Sequence, residues 1–495
     1  MRWVLPADDG GRAGVLAQEL SLHPVAAQIM VSRGYGSPDA ASEFLKDGLA
    51  DLPDPFTMLG MEKAVAQLIS ALRAHDKITL YGDYDVDGVT STSTLATFLR
   101  AVGANVATYI PHRIGEGYGL NVDAVEKIAR DGTRLLVTLD CGISAVEEIR
   151  RAVELGLRVV VVDHHQVGEA LPVADAILNP HQPGCPFVCK HLCAAGIAFH
   201  LIVALRKVLR EQGFFSERRE PNLREYLDLV ALGTICDIVP LLGANRIIVK
   251  HGLAELAKGR RAGVRALKAV AGLPATGAVT TGQVGFKLGP RINAAGRLSD
   301  ASLGVELLCA TDDARAEQLA RILDEANTER QGIEKQIAIE ALAQAEELGG
   351  QKARGLVLSS EGWHPGVIGI VASRVVEKFH RPTFVIAMKD GAGKGSGRSI
   401  EGFSSSRRCR SAPRSSPATA ATSTLPGSPW RRSRCPSSAR PSTGSPARSS
   451  ARTICKRAAA STQWCAPRPS TRAWCRAWSG WRPSARATPS PPWRR

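Results

Sequence analysis

Lys77-Ile-Thr-Leu-Tyr-Gly-Asp-Tyr-Asp-Val-Asp-Gly-Val-Thr90 is the stretch on which the reading of this chain turns. Ile78 to Tyr81 has the side chains of a β-strand. It empties into acids at every second position, Asp83, Asp85 and Asp87, before Gly88 opens an apolar, Thr/Ser-rich helical segment at 89–102. Acids at the carboxyl end of a strand stand where open α/β sheets place their sites. Three carboxylates so close together repel one another unless they share a cation, so the spacing points to a hard metal ion. A solvated turn with capping aspartates is the alternative for the stretch taken by itself.

Outward from this stretch, strands and helices alternate. An amphipathic helix at 62–75 precedes it, and strands at 106–110, 135–140 and 158–163 alternate with helices at 122–130 and 145–155. This is the βαβ order of a parallel sheet covered on both faces. Two of these strands also end in acids: Leu135-Leu-Val-Thr-Leu-Asp140 before Cys-Gly-Ile-Ser, and Val159-Val-Val-Val-Asp163 before His164 and His165. A buried strand ending in Asp-His-His brings a carboxylate and two imidazoles to one rim, which is metal-ligand chemistry. A fourth acid, Asp237, closes an apolar helix that starts near Leu223.

Together, Asp83-Tyr-Asp85-Val-Asp87-Gly, Asp140-Cys-Gly-Ile-Ser, Asp163-His164-His165 and Asp237 resemble the four signature motifs of the DHH phosphoesterase superfamily. Gly289-Pro-Arg-Ile-Asn-Ala-Ala-Gly-Arg297 and Gly362-Trp-His-Pro-Gly-Val-Ile-Gly-Ile370 resemble, within it, the RecJ-type single-strand-specific exonucleases, over about residues 50 to 403. The resemblance implies two divalent ions, Mn2+ or Mg2+, with Asp85, Asp87, Asp140, His164 and Asp237 as ligands and Asp83, Asp163 and His165 in supporting or catalytic roles. Carboxylate-rich coordination with few imidazoles suits these ions better than zinc. Paired ions can make water nucleophilic near neutral pH and stabilise charge on an attacked phosphorus. Cys185, Cys189 and Cys193, with His181 and His191 nearby, lack the two-residue spacing of a structural zinc site.

Arg113 follows a strand end and is a candidate bidentate phosphate donor. Arg291, Asn293 and Arg297, beside a helix start, are candidate backbone contacts for a nucleic-acid strand, with an ordinary surface pair as the alternative. A long helical stretch at 312–348 is followed by a strand at 355–359, a helix at 367–379 and a strand at 383–388. The segment 391–399 reads as a glycine-rich loop whose amides cradle an anion. By the resemblance, Ser396 and Arg398 there meet a 5′ phosphate.

The expected fold class is therefore α/β, with a parallel-sheet DHH domain and a smaller α/β DHHA1-like domain joined by a long helix. The expected boundaries are an N-terminal appendage at 1–60, the metal-binding domain at 61–265, a connecting segment at 266–350 and a truncated substrate-binding domain at 351–403. A basic tail at 404–495 completes the chain. Of 63 Lys and Arg residues, 19 fall in that tail with no Asp or Glu, so the net charge of +16 belongs to the tail while the body is close to neutral. The tail is Ser, Pro, Arg, Ala and Thr with five of the eleven cysteines and six of the eight tryptophans, a mix that predicts disorder. It reads either as a basic arm with base-stacking tryptophans or as a reading frame slipped near codon 404 of a GC-rich gene. RecJ-like chains continue instead with a Gly-Gly-His segment and an oligonucleotide-binding fold, neither recognisable here.

The N-terminus lacks a signal peptide's apolar core, and the longest apolar run, 194–205, is interrupted by His200 and too short to span a bilayer. No membrane association, a cytoplasmic location and reduced cysteines are expected. The resemblance implies a 5′-to-3′ single-stranded-DNA exonuclease of DNA repair and recombination. Its partners would be single-stranded DNA, a single-strand-binding protein and a recombination helicase. The alternatives are an oligonucleotide or cyclic-dinucleotide phosphodiesterase of the same superfamily and a non-catalytic DNA-binding remnant.

Overall fold

The Ile78 stretch forms an interior strand, second from one edge, of a five-stranded, all-parallel sheet. Its strands are β1 (Ile78–Gly82), β2 (Val106–Tyr109), β3 (Leu135–Leu139), β4 (Arg158–Val162) and β5 (Ala176–Leu178), in the order β2-β1-β3-β4-β5. This computed structural model describes residues 10–113, 116, 117 and 119–400, together with the backbone of 463–465. Alternation along the strands divides the side chains between two apolar cores. Ile78, Leu80, Leu135, Val137, Leu139, Val160 and Val162 face one, where helices Met61–Arg73 and Ala194–Glu211 pack. Tyr81, Leu136, Val159 and Val161 face the other, under helices Val122–Arg130 and Val146–Glu154.

The helix after β1, Val86–Ala101, runs through the interior although its first half is Thr and Ser. The hydroxyls of Thr90, Ser91, Ser93 and Thr97 donate back to carbonyls three or four residues earlier, which satisfies them without water. Small side chains then let the helices Ala194–Glu211 and Leu227–Cys236 pack closely against it. The helix starts three residues before the expected 89, because Asp85 caps it.

Two compact units divide the chain within the long helix Asp313–Glu347, the first ending at Thr328 and the second starting at Glu329. The first unit has a further core built by helices including Leu227–Cys236, Ala262–Val270, Gly289–Leu298 and Ser302–Cys309. The described part of the N-terminal segment forms three short helices around Leu16, Ala27, Met30 and Ala41.

In the second unit, β6 (Leu356–Ser360) runs parallel to β7 (Thr383–Lys389), and helix Ile368–Phe379 packs on the sheet. The segment expected to be an anion-cradling loop is a strand instead: β8 (Ala392–Arg398) pairs antiparallel with β7 along its whole length. Asp390 and Gly391, both at positive φ, form the two-residue turn that Asp-Gly favours in a hairpin. Gly393 of β8 serves packing, since a Cβ there would stand 2.7 Å from Met388 Sδ. Its amides on the β7 side are committed to the sheet, so no free-backbone cradle exists there. β9 (Gln463–Cys465) pairs with β8 on its other side; otherwise the expectation of disorder at 404–495 lies outside the described residues.

A Cβ at Gly252 would stand 2.3 Å from Leu227 O and 2.4 Å from Ala231 Cβ, so helices Ala244–Lys258 and Leu227–Cys236 meet there backbone on backbone. Gly252→Ala is expected to destabilise the protein by about 1–3 kcal/mol through overpacking, seen as a lower urea midpoint for the first unit.

Candidate metal centre

Three adjacent parallel strands deliver side chains to one rim. Asp83 follows β1, Asp140 follows β3, and Asp163, His164 and His165 follow β4. Because β1 sits between β2 and β3, Asp83 and Asp140 flank the position where the strand order reverses, which opens a crevice beyond the strand ends. Asp140 enters this crevice from a left-handed backbone, φ 62°, a conformation Asp tolerates better than most residues. Gly88 allows the turn after β1 to close, since a Cβ there would stand 2.3 Å from Asp83 O.

The neighbouring acids serve two helix starts. Asp85 Oδ1 accepts the amides of Asp87 at 2.9 Å and Gly88 at 3.1 Å, capping Val86–Ala101. Asp87 caps a different helix: its Oδ2 accepts the Ala194 amide at 2.6 Å and its Oδ1 the Ala195 amide at 2.9 Å, at the start of Ala194–Glu211. Cys193, the residue before that helix, provides no side-chain cap of its own. Asp237 arrives from the end of helix Leu227–Cys236.

These elements place His164 Nε2 at 3.2 Å from Asp140 Oδ1, 3.7 Å from Asp237 Oδ2 and 3.8 Å from Asp87 Oδ2. Ligand atoms lying within 4.8 Å of one another form three overlapping groups: Asp83, Asp85 and Asp140; Asp87, His164 and Asp237; and Asp140, His164 and His165. Asp140 and His164 thus stand between two donor sets. Asp83 and His165, both expected in supporting roles, lie among the ligand atoms of the first and third of these groups. Asp163 stands one step behind: it accepts the Ile143 amide at 2.9 Å, the His165 amide at 3.0 Å and His165 Nδ1 at 2.7 Å, and so orients that ring.

The electrostatics fit cation binding. Burial, reinforced by neighbouring carboxylates, pushes Asp83 and Asp140 well above the usual carboxylate range, raises Asp87, and moves Asp237 up to about 8. Burial also lowers His164, favouring the neutral ring a metal requires. Asp163 is different: despite burial, His165 and the two amides hold it at about 2, and it in turn lifts His165, against burial, to about 9. Asp83 Oδ1, Asp140 Oδ1, His164 Nε2 and Asp237 Oδ2 are buried without an aligned hydrogen-bond partner. Buried polar atoms normally have one. Oxygen-rich donors, left unpaired in one small volume, are what a pair of hard divalent ions would satisfy.

The other expected contacts divide. The Arg113 guanidinium lies 4.7 Å from the centre of the Tyr84 ring and acts electrostatically on Asp83. Asn293 Oδ1 accepts the Val86 amide at 3.2 Å, and Arg291 Nε lies 2.8 Å from Asp324 while its terminal nitrogens donate to the carbonyls of Lys287 and Val270. Both therefore hold helix Gly289–Leu298 in place. That helix approaches so closely that a Cβ at Gly296 would stand 2.4 Å from Tyr84 O, and Arg297 acts electrostatically on Tyr84. In the second unit, Arg398 Nε donates to Ser373 Oγ at 3.2 Å, and Ser396 Oγ lies 3.1 Å from where a Gly369 Cβ would be, at the start of helix Ile368–Phe379. Cys185 Sγ accepts the Leu59 amide and Cys193 Sγ contacts Thr234, and among the described residues neither joins a metal-binding group. The Ala194 and Ala195 amides were not anticipated from sequence; the only signal was a helix start without a capping side chain.

Residues 77–234 match the DHH family, N-terminal domain. The chain is 41% identical to the single-stranded-DNA-specific exonuclease RecJ of Bacillus subtilis, over 81% of this chain and 50% of that protein. It is 43% identical to that of Escherichia coli, over 77% of this chain and 67% of that one. It therefore spans about half to two thirds of these relatives. A crystal structure of exonuclease RecJ bound to manganese superposes with a TM-score of 0.64 at 38% identity, over 74% of this chain and 87% of that one. RecJ from Thermus thermophilus in complex with Mn2+ gives 0.69 at 34%, over 82% and 56%. With its donor sets, its strand order and these likenesses agreeing, the chain belongs to the RecJ family of DHH-type single-stranded-DNA-specific exonucleases.

Proposed function

We propose that this chain is a two-metal, 5′-to-3′ single-stranded-DNA exonuclease acting in DNA repair and recombination. The observation that carries the reading is the convergence of Asp83, Asp85, Asp87, Asp140, His164 and Asp237, in which Asp83 Oδ1, Asp140 Oδ1, His164 Nε2 and Asp237 Oδ2 lack an aligned hydrogen-bond partner and call for divalent cations. When bound, Mn2+ or Mg2+ supplies a nucleophile at neutral pH and stabilises charge at phosphorus. The protein's own part is positioning. Asp163 holds the His165 ring in place beside Asp140, and Arg113, over the Tyr84 ring, supplies a cation suited to a phosphate. Water adds to the phosphorus, the bond to the leaving oxygen breaks, and that oxygen takes up a proton.

Polarity is assigned to Ser396 and Arg398, which stand at the N-terminus of helix Ile368–Phe379, where amide groups favour an anion. A terminal 5′ phosphate is the group they would receive. We further assign the metal-binding and substrate-binding domains to 61–265 and 351–403, with 266–350 connecting them. Partners consistent with this activity are a helicase that supplies unwound strand and a single-strand-binding protein that keeps it so. Among the described residues, no helix is long and apolar enough to cross a membrane.

A 5′-phosphorylated 30-mer incubated with Mn2+ should release mononucleotides from its 5′ end, and Asp140→Ala should release none. Faster turnover of a dinucleotide than of the 30-mer would favour the short-substrate phosphodiesterase instead, and calorimetric metal binding without hydrolysis a DNA-binding remnant. Arg398→Ala should raise KM by about 10- to 100-fold for the 5′-phosphorylated strand and hardly at all for its 5′-hydroxyl counterpart, the loss of a hydrogen bond to a charged group. In thermal melts, Asp140→Asn should stabilise the metal-free chain, by relieving carboxylate repulsion, while abolishing the rise in Tm on adding Mn2+.

A further inference from the structure

Phe286 and Ile238 are the two most exposed large apolar side chains among the described residues, each 87% exposed. Both belong to elements packed around one helix end. Ile238 directly follows Asp237, in the metal-ligand set, and Leu241 and Leu242 of the same loop are also exposed. Phe286 lies in a π-helical turn, Val284–Leu288, that packs on the end of helix Leu227–Cys236: Cys236 Sγ lies 4.0 Å from Val284 O, and a Cβ at Gly289 would be 2.4 Å from that sulfur. Single π-helical turns concentrate at functional sites.

Ile238 adds an independent observation. It holds φ at 59°, a conformation in which a β-branched side chain is a true outlier. Neither burial nor packing explains the strain, since the side chain points into solvent. Strain kept without a packing reason belongs to function more often than to stability. Lys287, next to Phe286, is exposed and basic, so this π-helical turn carries an exposed aromatic side chain and a cation. Acidic, metal-binding side chains attract the phosphates of a strand through bound ions, but its bases need apolar or aromatic faces.

We propose that Phe286 and Ile238 form a base-contacting platform at the edge of the metal centre, on which the bases of a single strand rest while its phosphates reach Asp237 and its neighbours. The inference rests on the nuclease reading and deepens it, by naming residues that favour unpaired bases over duplex. A base within a duplex has its faces covered by stacked neighbours; an unpaired base can offer one to Phe286. Aromatic stacking tolerates any base, so the platform would select for strandedness and not for sequence.

The test uses the full chain in Mn2+ and two 5′-phosphorylated oligonucleotides of equal length with cleavage-resistant phosphorothioate linkages, one with bases and one of abasic residues, with binding read by fluorescence anisotropy. Phe286→Ala should weaken binding of the base-bearing strand about 5- to 100-fold. It should leave the abasic strand within about twofold and calorimetric Mn2+ binding unchanged. Ile238→Asn, which keeps the left-handed backbone, should weaken the base-bearing strand in the same sense without lowering Tm. Equal losses on both strands, or none on either in variants of a wild type that binds and cleaves single-stranded DNA, would overturn the platform and leave the nuclease reading standing. A wild type that neither binds nor cleaves the strand would remove that reading and the platform with it.

Discussion

Confining like charges in a dry volume is the constraint to which the rest of this structure answers. Asp83, Asp87 and Asp140 are nearly inaccessible to water, and with Asp85, His164 and Asp237 their ligand atoms form groups spanning less than 5 Å. Carboxylates brought so close out of water either take up protons or share cations. The raised affinities of Asp83, Asp140 and Asp237 for protons are the first response, in the metal-free chain; binding divalent ions is the second. The centre is thus poised between the two, and the folding energy of the surrounding sheet keeps it assembled.

The same acids that form the centre also hold the fold. Asp85 caps the helix that follows β1, and Asp87 caps the buried helix Ala194–Glu211, so moving either carboxylate would loosen a core helix as well as a ligand. Such caps contribute about 1 kcal/mol each, which partly offsets the cost of burying the charge. Asp163 plays the opposite part: with three aligned donors it favours the ionised form, and it keeps the His165 ring oriented. Two aspartates on neighbouring strand ends, Asp140 and Asp163, therefore have contrary protonation tendencies because one lacks aligned donors and the other has three.

Around this centre, close backbone approach replaces bulky packing. Gly88 lets the loop after β1 fold over Asp83, and Gly296 lets helix Gly289–Leu298 meet Tyr84 without intervening side chains. Asn293 and Arg291 then lock that helix, through the Val86 amide and through Asp324. Their motif looks like a row of strand contacts when read linearly. In three dimensions much of it is a brace for the acid-bearing turn.

Much of this was legible in the chain itself. The period-two strands, the acids at their ends and the order of strands and helices follow from local side-chain patterning, and they led directly to a parallel sheet with Asp83, Asp85, Asp140 and Asp163 to His165 at one rim. Patterning also marked Asp237 as the end of an apolar helix. What it could not reveal depends on long-range approach. That Asp83 joins the donor set while Asp163 stands behind it depends on which amides and which ring each carboxylate meets, and Ile143 and His165 are brought to Asp163 only by the packed sheet. That Asp87 caps a helix more than a hundred residues away is invisible in a linear pattern. The glycine-rich 391–399 could be read as a loop because glycine composition alone does not distinguish a free backbone from a paired one; pairing with β7 decided for a strand. Local sequence chose the elements and their ends, and tertiary packing chose the partners, because a carboxylate's role is set by the groups that reach it through space.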